Sequence, residues 1–158
     1  MMAAIVFVCT YVCKVPIALT GGYTHLGDCA IFLGVLLLGK RQGALAGALG
    51  AALADLMGGF LFWVLPTFFI KGLMAYTMGF LAETRLSVRR FGWLVGAIAG
   101  GLLQVIGYTL IKIILISPWA GIATIPTVSL QTISGIVIAA VLITILKSSH
   151  LLYRIKEL

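Results

Sequence analysis

Phe91–Ser117 reads FGWLVGAIAGGLLQVIGYTLIKIILIS, a run in which Lys112 is the one charged residue. A helix that crosses the hydrocarbon layer needs about 20 predominantly apolar residues, so this stretch predicts a transmembrane span. Two patterns lie inside it. Gln104, Tyr108 and Lys112 recur at i, i+4 and i+8 and form one polar stripe on an otherwise apolar helix. Gly96 with Gly100, and Ala97 with Gly101, place small residues four apart, a spacing that lets two helices approach closely.

Working outward, five further apolar runs are separated by turn and charge signals. Span one covers about 3–20 and ends in Gly21-Gly22. Span two is short, about 26–39. Lys40-Arg41-Gln42 reads as a turn. Span three covers about 43–65, and Pro66 opens span four, about 66–82. Beyond the polar loop 83–90 and span five, residues 118–124 read as a turn before span six, about 125–146, and a basic tail. The composition agrees. Of 158 residues, 62% are hydrophobic and only 9% charged, where soluble domains carry about 25%. Such a chain cannot cover a water-facing surface, which excludes a soluble enzyme, and it is far too apolar for intrinsic disorder. The expected fold class is an all-α membrane protein of six transmembrane helices, one domain over 1–158. The first run lacks a preceding basic region and is read as a span, not a signal peptide.

The net charge of +7 is informative through its placement. Lys40, Arg41, Arg85, Arg89, Arg90, Lys147, Arg154 and Lys156 fall on one side of a six-span layout, and the opposite loops carry no Lys or Arg. The positive-inside rule then predicts both termini in the cytoplasm. No nucleic-acid partner is implied. Cys9, Cys13 and Cys29 form no metal spacing and read as buried free thiols.

Lys14, Lys71, Lys112, Asp28 and Asp55 lie inside the spans. An intramembrane charge costs about 2.5–3.5 kcal/mol on insertion scales and by default marks a functional site. All five map to the outer half of the membrane, with His25 just above them. Thr67 shares a face with Lys71, and Thr127, Gln131 and Ser134 share another. Trp63 and Trp119 sit at the outer ends. Together they predict a polar cavity open to the outside, with His25, Asp28, Asp55, Trp63, Lys71, Gln104, Tyr108, Lys112 and Gln131 as candidate ligand contacts. The competing reading is internal ion pairing, for example Asp55 with Lys71. In span three, Ala46, Gly50, Ala54 and Gly58 repeat every four residues. These small faces serve either packing within the bundle or a partner protein, with Ala3, Ala4, Ala46 and Gly50 as the candidate docking positions. No catalytic, nucleotide-binding or metal motif occurs, so neither a cofactor nor a bound metal is expected, and active uptake would need energy from a partner or an ion gradient.

Tyr23-Thr-His-Leu-Gly-Asp28, Leu36-Leu-Leu-Gly39, Gly43-Ala-Leu-Ala-Gly47, Ala52-Leu-Ala-Asp55, Pro66-Thr67 and Ile70-Lys-Gly-Leu73 give the chain a specific resemblance. It resembles the substrate-binding S components of energy-coupling factor (ECF) vitamin transporters, and within them the HmpT-like branch assigned to hydroxymethylpyrimidine or pyridoxine. The matching block, Tyr23 to about Ala82, is over a third of the chain. The resemblance implies six spans with both termini inside and a vitamin bound under the first outer loop. It also implies a complex with a transmembrane coupling subunit (EcfT-like) and two ATPases in a bacterial cytoplasmic membrane. Members usually carry A-x-x-x-A in the first span. Here Ala3 is followed at i+4 by Phe7 and Ala4 by Val8. A carboxylate ligand such as pantothenate would favour Lys71 or Lys112, whereas an aminopyrimidine offers donors to Asp28 or Asp55. Outside this family, a stand-alone secondary transporter or channel using Asp55 or Lys71, or a ligand-free assembly protein, would also fit a six-span bundle.

Overall fold

A computed structural model describes residues 1–17, 22–83 and 92–148, with the backbone alone for 14–17, 22–24, 147 and 148. Among these residues six α-helices follow in chain order: α1 (Met2–Val12), α2 (Gly27–Leu38), α3 (Lys40–Met57), α4 (Val64–Glu83), α5 (Gly92–Leu115) and α6 (Pro118–Ser148). A two-stranded antiparallel hairpin, β1 (Lys14–Ile17) and β2 (Gly22–His25), joins α1 to α2, with Lys14 opposite His25 and Ile17 opposite Gly22. The basic loop at 84–90, the tail from Ser149 and the side chains of Lys14 and Tyr23 lie outside the described residues.

The bundle confirms an all-α membrane architecture and corrects several boundaries. Span one, expected to run to Thr20, stops being helical at Val12. Val15, Pro16 and Ile17 are as apolar as a helix needs. However, Pro16 has no N–H to give a helix interior, and β-branched neighbours suit a strand. The expected turn at 118–124 is helix. Pro118 takes the first helical position, where its missing N–H is no loss, and the Ser117 Oγ accepts the Ala120 N–H at 3.2 Å as an N-cap. Pro126 therefore lies inside α6. Lys40-Arg41-Gln42 is the first turn of α3, and the chain reverses at Gly39 alone, whose φ of +83° a side chain would resist. Span three ends early, at Met57, because Gly58-Gly59 and a short 3₁₀ turn (Leu61–Trp63) precede α4.

Among the described residues three helical segments are long and apolar enough to cross a membrane: Leu61–Glu83, Gly92–Leu115 and Pro118–Leu146. Their outer faces are apolar where a soluble bundle would be charged. On α5, Leu102, Ile106 and Leu110 are each at least half exposed, and on α6 Ile133, Val137 and Val141 form the same i, i+4 stripe. On α3, Leu45, Leu49 and Leu53 repeat it. Such stripes are stable against lipid, not water.

Helix α2 is the centre of the bundle. It packs against α1, α3, α4 and α6 and buries Gly27 to Phe32 without interruption, then Gly34 and Val35. A helix apolar on all sides belongs in such a position. The core continues through Val6, Met74, Met78, Ala97, Ala139 and Ile143. The small residues of α3 and α5 serve this packing. A methyl on Gly100 would stand 2.5 Å from the Met74 carbonyl oxygen of α4, and Gly96 meets the Met78 carbonyl in the same way. Gly50 lies under α1, where a methyl would come within 2.5 Å of the Ala3 carbonyl. Of the four expected docking positions, Gly50 thus faces into the bundle; Ala4 is exposed, and Ala3 and Ala46 are partly so.

Gly100→Leu should lower stability by about 1–3 kcal/mol or more, through overpacking against the α4 backbone. Leu102→Ala, on the lipid-facing stripe, should change it by about 0.5 kcal/mol or less. Thermal unfolding of both variants in detergent checks this, and equal shifts would contradict the packing assigned to Gly100.

Candidate ligand-binding site

The odd-numbered helices end, and the even-numbered ones begin, at one end of the bundle. There the polar residues converge in two layers, a buried network and a cavity beside it.

The network is centred on Asp28, in the first turn of α2, where the positive end of the helix dipole favours a carboxylate. Lys71 of α4 donates its ammonium to Asp28 Oδ1. It also donates to Gln104 Oε1 of α5 at 2.7 Å and lies 5.8 Å from the centre of the Tyr108 ring. Gln104 Nε2 donates to Asp28 Oδ2 at 2.9 Å and to Thr132 Oγ1 of α6 at 3.0 Å. Gln131 Nε2 reaches the same carboxylate oxygen at 3.1 Å. Asp28, Lys71 and Gln104 are all 0% exposed. The network also fixes the Gln104 amide: its oxygen must face the ammonium and its nitrogen the carboxylate. The internal ion pair weighed in the sequence therefore exists, but between Lys71 and Asp28, not Asp55.

The cavity has a volume of about 140 Å³. His25, Asp55, Trp63, Tyr108, Lys112 and Gln131, six of the nine candidate contacts, line it. Asp28, Lys71 and Gln104 do not; they lie behind the wall, joined to the cavity through Gln131, which belongs to both layers. The stripe on α5 runs from Gln104 in the network through Tyr108 to Lys112 farther along. Tyr108 donates to Thr67 Oγ1 at 3.1 Å and meets the Trp63 ring at 6.1 Å between centroids. The Lys112 ammonium lies 5.6 Å from the centre of the Trp63 ring, a cation–π contact. His25 Nδ1 accepts the Gly27 N–H at 3.0 Å, which bonds the imidazole to the first residue of α2.

Thr10, Phe60, Thr124 and Val128 also line the cavity and were not among the sequence candidates. Thr10 had a weak signal, a hydroxyl within the apolar run of α1. Phe60 and Val128 had none, because an apolar wall residue looks like any core residue. Trp119, expected at the outer end, is 81% exposed and lies outside the cavity. Among the described residues no group of three or more His, Cys, Asp or Glu is placed to hold a metal.

A carboxylate, an ammonium, two tilted aromatic rings and several hydroxyls thus surround one small cavity inside the apolar helical bundle of a membrane protein. The family model for the ECF-type riboflavin transporter S component matches residues 1–148, and the chain belongs to this family. It is also 34% identical over 142 residues to a Pyrococcus woesei protein described as "Uncharacterized protein in gap 3'region", covering 90% of this chain and 94% of that one. The chain is accordingly a multi-pass membrane protein, the vitamin-binding component of an ECF importer. S components of this family work with a transmembrane coupling subunit and ATPase subunits. The family match carries the S-component identity and does not extend to the HmpT-like branch.

Lys71→Met should destabilise the protein by about 3–5 kcal/mol, because it leaves Asp28 charged and buried without its cation. Adding Asp28→Asn should recover part of that loss, the sign of direct coupling. Lys112→Met, at a partly exposed position, should cost far less. Detergent unfolding of these variants and of Asp28→Asn alone provides the check; additive losses from Asp28 and Lys71 would contradict the pair.

Proposed function

We propose that this S component captures a single-ring heteroaromatic vitamin or precursor, of the size of hydroxymethylpyrimidine or pyridoxine, from the outer face. The observation that carries this reading is the cavity. At about 140 Å³ it falls below the roughly 300–1,000 Å³ of sites for drug-sized ligands, which favours one ring over three. Trp63 and Tyr108 offer faces for stacking. Asp55 can accept ring N–H groups, and Lys112 and Gln131 can donate to ring nitrogens or hydroxyls. In this proposal His25, Asp55, Trp63, Tyr108, Lys112 and Gln131 touch ligand, while Asp28, Lys71 and Gln104 hold Gln131 and the cavity wall in place. The description of the matching family favours a second reading, riboflavin itself.

The proposed topology has six spans with both termini in the cytoplasm of a bacterial cell. It is supported by the eight basic residues on one side of the sequence layout, and by Lys40 and Arg41 lying at the end of α3 remote from Asp55 and the cavity. At that remote end the proposed coupling partners dock, an EcfT-like subunit carrying two ATPases, using α1 and α3 near Ala3, Ala4 and Ala46. Gly50 is left out because it packs against α1.

Thermal-shift measurements with hydroxymethylpyrimidine, pyridoxine, pantothenate and riboflavin test the ligand class. A single-ring heteroaromatic should stabilise the protein most. Asp55→Asn should weaken its binding about tenfold, as loss of a charged hydrogen bond does, and preferential binding of riboflavin would replace the proposal with the second reading. Purified protein alone in vesicles should bind but not concentrate the ligand. Uptake should require the coupling subunit and internal ATP, and concentrative uptake without them would favour a secondary transporter.

A further inference from the structure

Thr10 stands apart from every other polar residue of the cavity. It is 1% exposed, it lines the cavity, and its Oγ1 is buried with no hydrogen-bond partner among the described residues. A buried hydroxyl without a partner costs about 1–3 kcal/mol, so native structures rarely leave one unless something else satisfies it. A helical threonine has an easy remedy, since its hydroxyl can bond a carbonyl one turn back. Thr124 does so with the Ala120 carbonyl at 2.8 Å, and Thr144 with Ala140 at 2.8 Å. Thr10 does not.

The surroundings keep this hydroxyl in place. Gly27, at the start of α2, lies directly against it. A methyl on Gly27 would collide with Thr10 Oγ1 and stand 2.9 Å from His25 Nδ1. His25 Nδ1 is already turned to the Gly27 N–H. Thr10 and His25 therefore flank one point where α1, the end of β2 and the start of α2 meet, and only a residue without a side chain fits between them. Thr10 and Gln131 border the same small volume from different helices.

We infer that Thr10 is a ligand-contacting, specificity-determining residue: its hydroxyl binds the polar edge, a ring nitrogen or hydroxyl, of the captured solute. The inference deepens the proposed function and rests on its binding cavity, but not on which ring compound fills it. A hydroxyl both donates and accepts, so it discriminates by position and not by charge, complementing Asp55 and Lys112. It also places α1 in the binding site, so the helix that carries Ala3 and Ala4 at one end would touch ligand at the other.

The test compares wild type, Thr10→Val and Thr10→Ser in detergent, using hydroxymethylpyrimidine, pyridoxine and riboflavin as probes. Thr10→Val keeps the shape and removes the hydroxyl. Without ligand its melting temperature should equal or exceed that of wild type, because no protein hydrogen bond is lost. Its affinity for whichever probe stabilises wild type should fall about 3- to 10-fold, and Thr10→Ser should retain most of that affinity. Unchanged affinity in Thr10→Val would overturn the inference. So would a fall in ligand-free melting temperature, which would mean that the hydroxyl serves the fold. If riboflavin alone binds wild type, the single-ring reading fails while the Thr10 comparison proceeds with riboflavin.

Discussion

The carboxylate of Asp28 is the point on which the bundle turns. It sits within the apolar interior of a membrane protein, where a bare charge is costly, and it is held there by groups from three other helices: Lys71 of α4, Gln104 of α5 and Gln131 of α6. Those contacts dictate the shape of the chain around it. Helix α2 is only twelve residues long, and its first turn meets Lys71 inside the bundle. The chain leading to it is non-helical, the β1–β2 hairpin. Such backbone is tolerated where its polar groups are paired or line a cavity. The β1–β2 hairpin meets both conditions, with a paired ladder and His25 at its end on the cavity wall.

The cavity is tied to the same network. Gln131 donates to Asp28 and also borders the cavity, so a ligand that bonds Gln131 is one bond from the ion pair. Tyr108 is linked in a similar way, facing Lys71 with its ring and Thr67 with its hydroxyl. Preorganised polar groups of this kind bind without having to be ordered first. In the proposed reading the fully buried Asp28, Lys71 and Gln104 hold the wall, and the residues that line the cavity meet the solute.

Much of this was legible in the sequence because hydropathy and charge depth are one-dimensional properties. The helices α2, α4 and α5 could be bounded to within a few residues from where apolar runs meet Gly, Lys or Pro. The α5 stripe of Gln104, Tyr108 and Lys112 followed from spacing alone. What could not be read was anything that depends on how separate helices turn toward one another. Asp28 and Asp55 are both acids near the same depth, and no spacing along the chain says which one faces Lys71. The end of α1 was hidden for a different reason, since Val15-Pro16-Ile17 is equally apolar as helix or strand and hydropathy does not separate them. Residues 118–124 read as a turn because a proline both ends and begins helices. Gly50 shows the remaining ambiguity. A small residue looks the same whether the backbone it admits belongs to a partner or to the next helix of its own chain.

The two ends of the bundle are held by interactions of different strength. At the cavity end the ion pair is fully buried and shared among four helices, so breaking it is expensive. At the other end Lys40 pairs with Glu83 at 2.8 Å with both side chains well exposed, 29% and 44%. Exposed pairs contribute about 0–1 kcal/mol. Glu83 also accepts the Lys40 backbone N–H at 3.0 Å, so the same carboxylate caps the start of α3 and ties it to the end of α4. Close glycine contacts add to the cohesion there. Gly79 stands against Lys40, and Gly43 admits the Val35 backbone to within contact distance. Such packing is tight but carries no buried charge that movement would strand. Among the described residues the buried charge of the bundle thus lies at the cavity end, and the opposite end is held by exposed charge and close backbone packing.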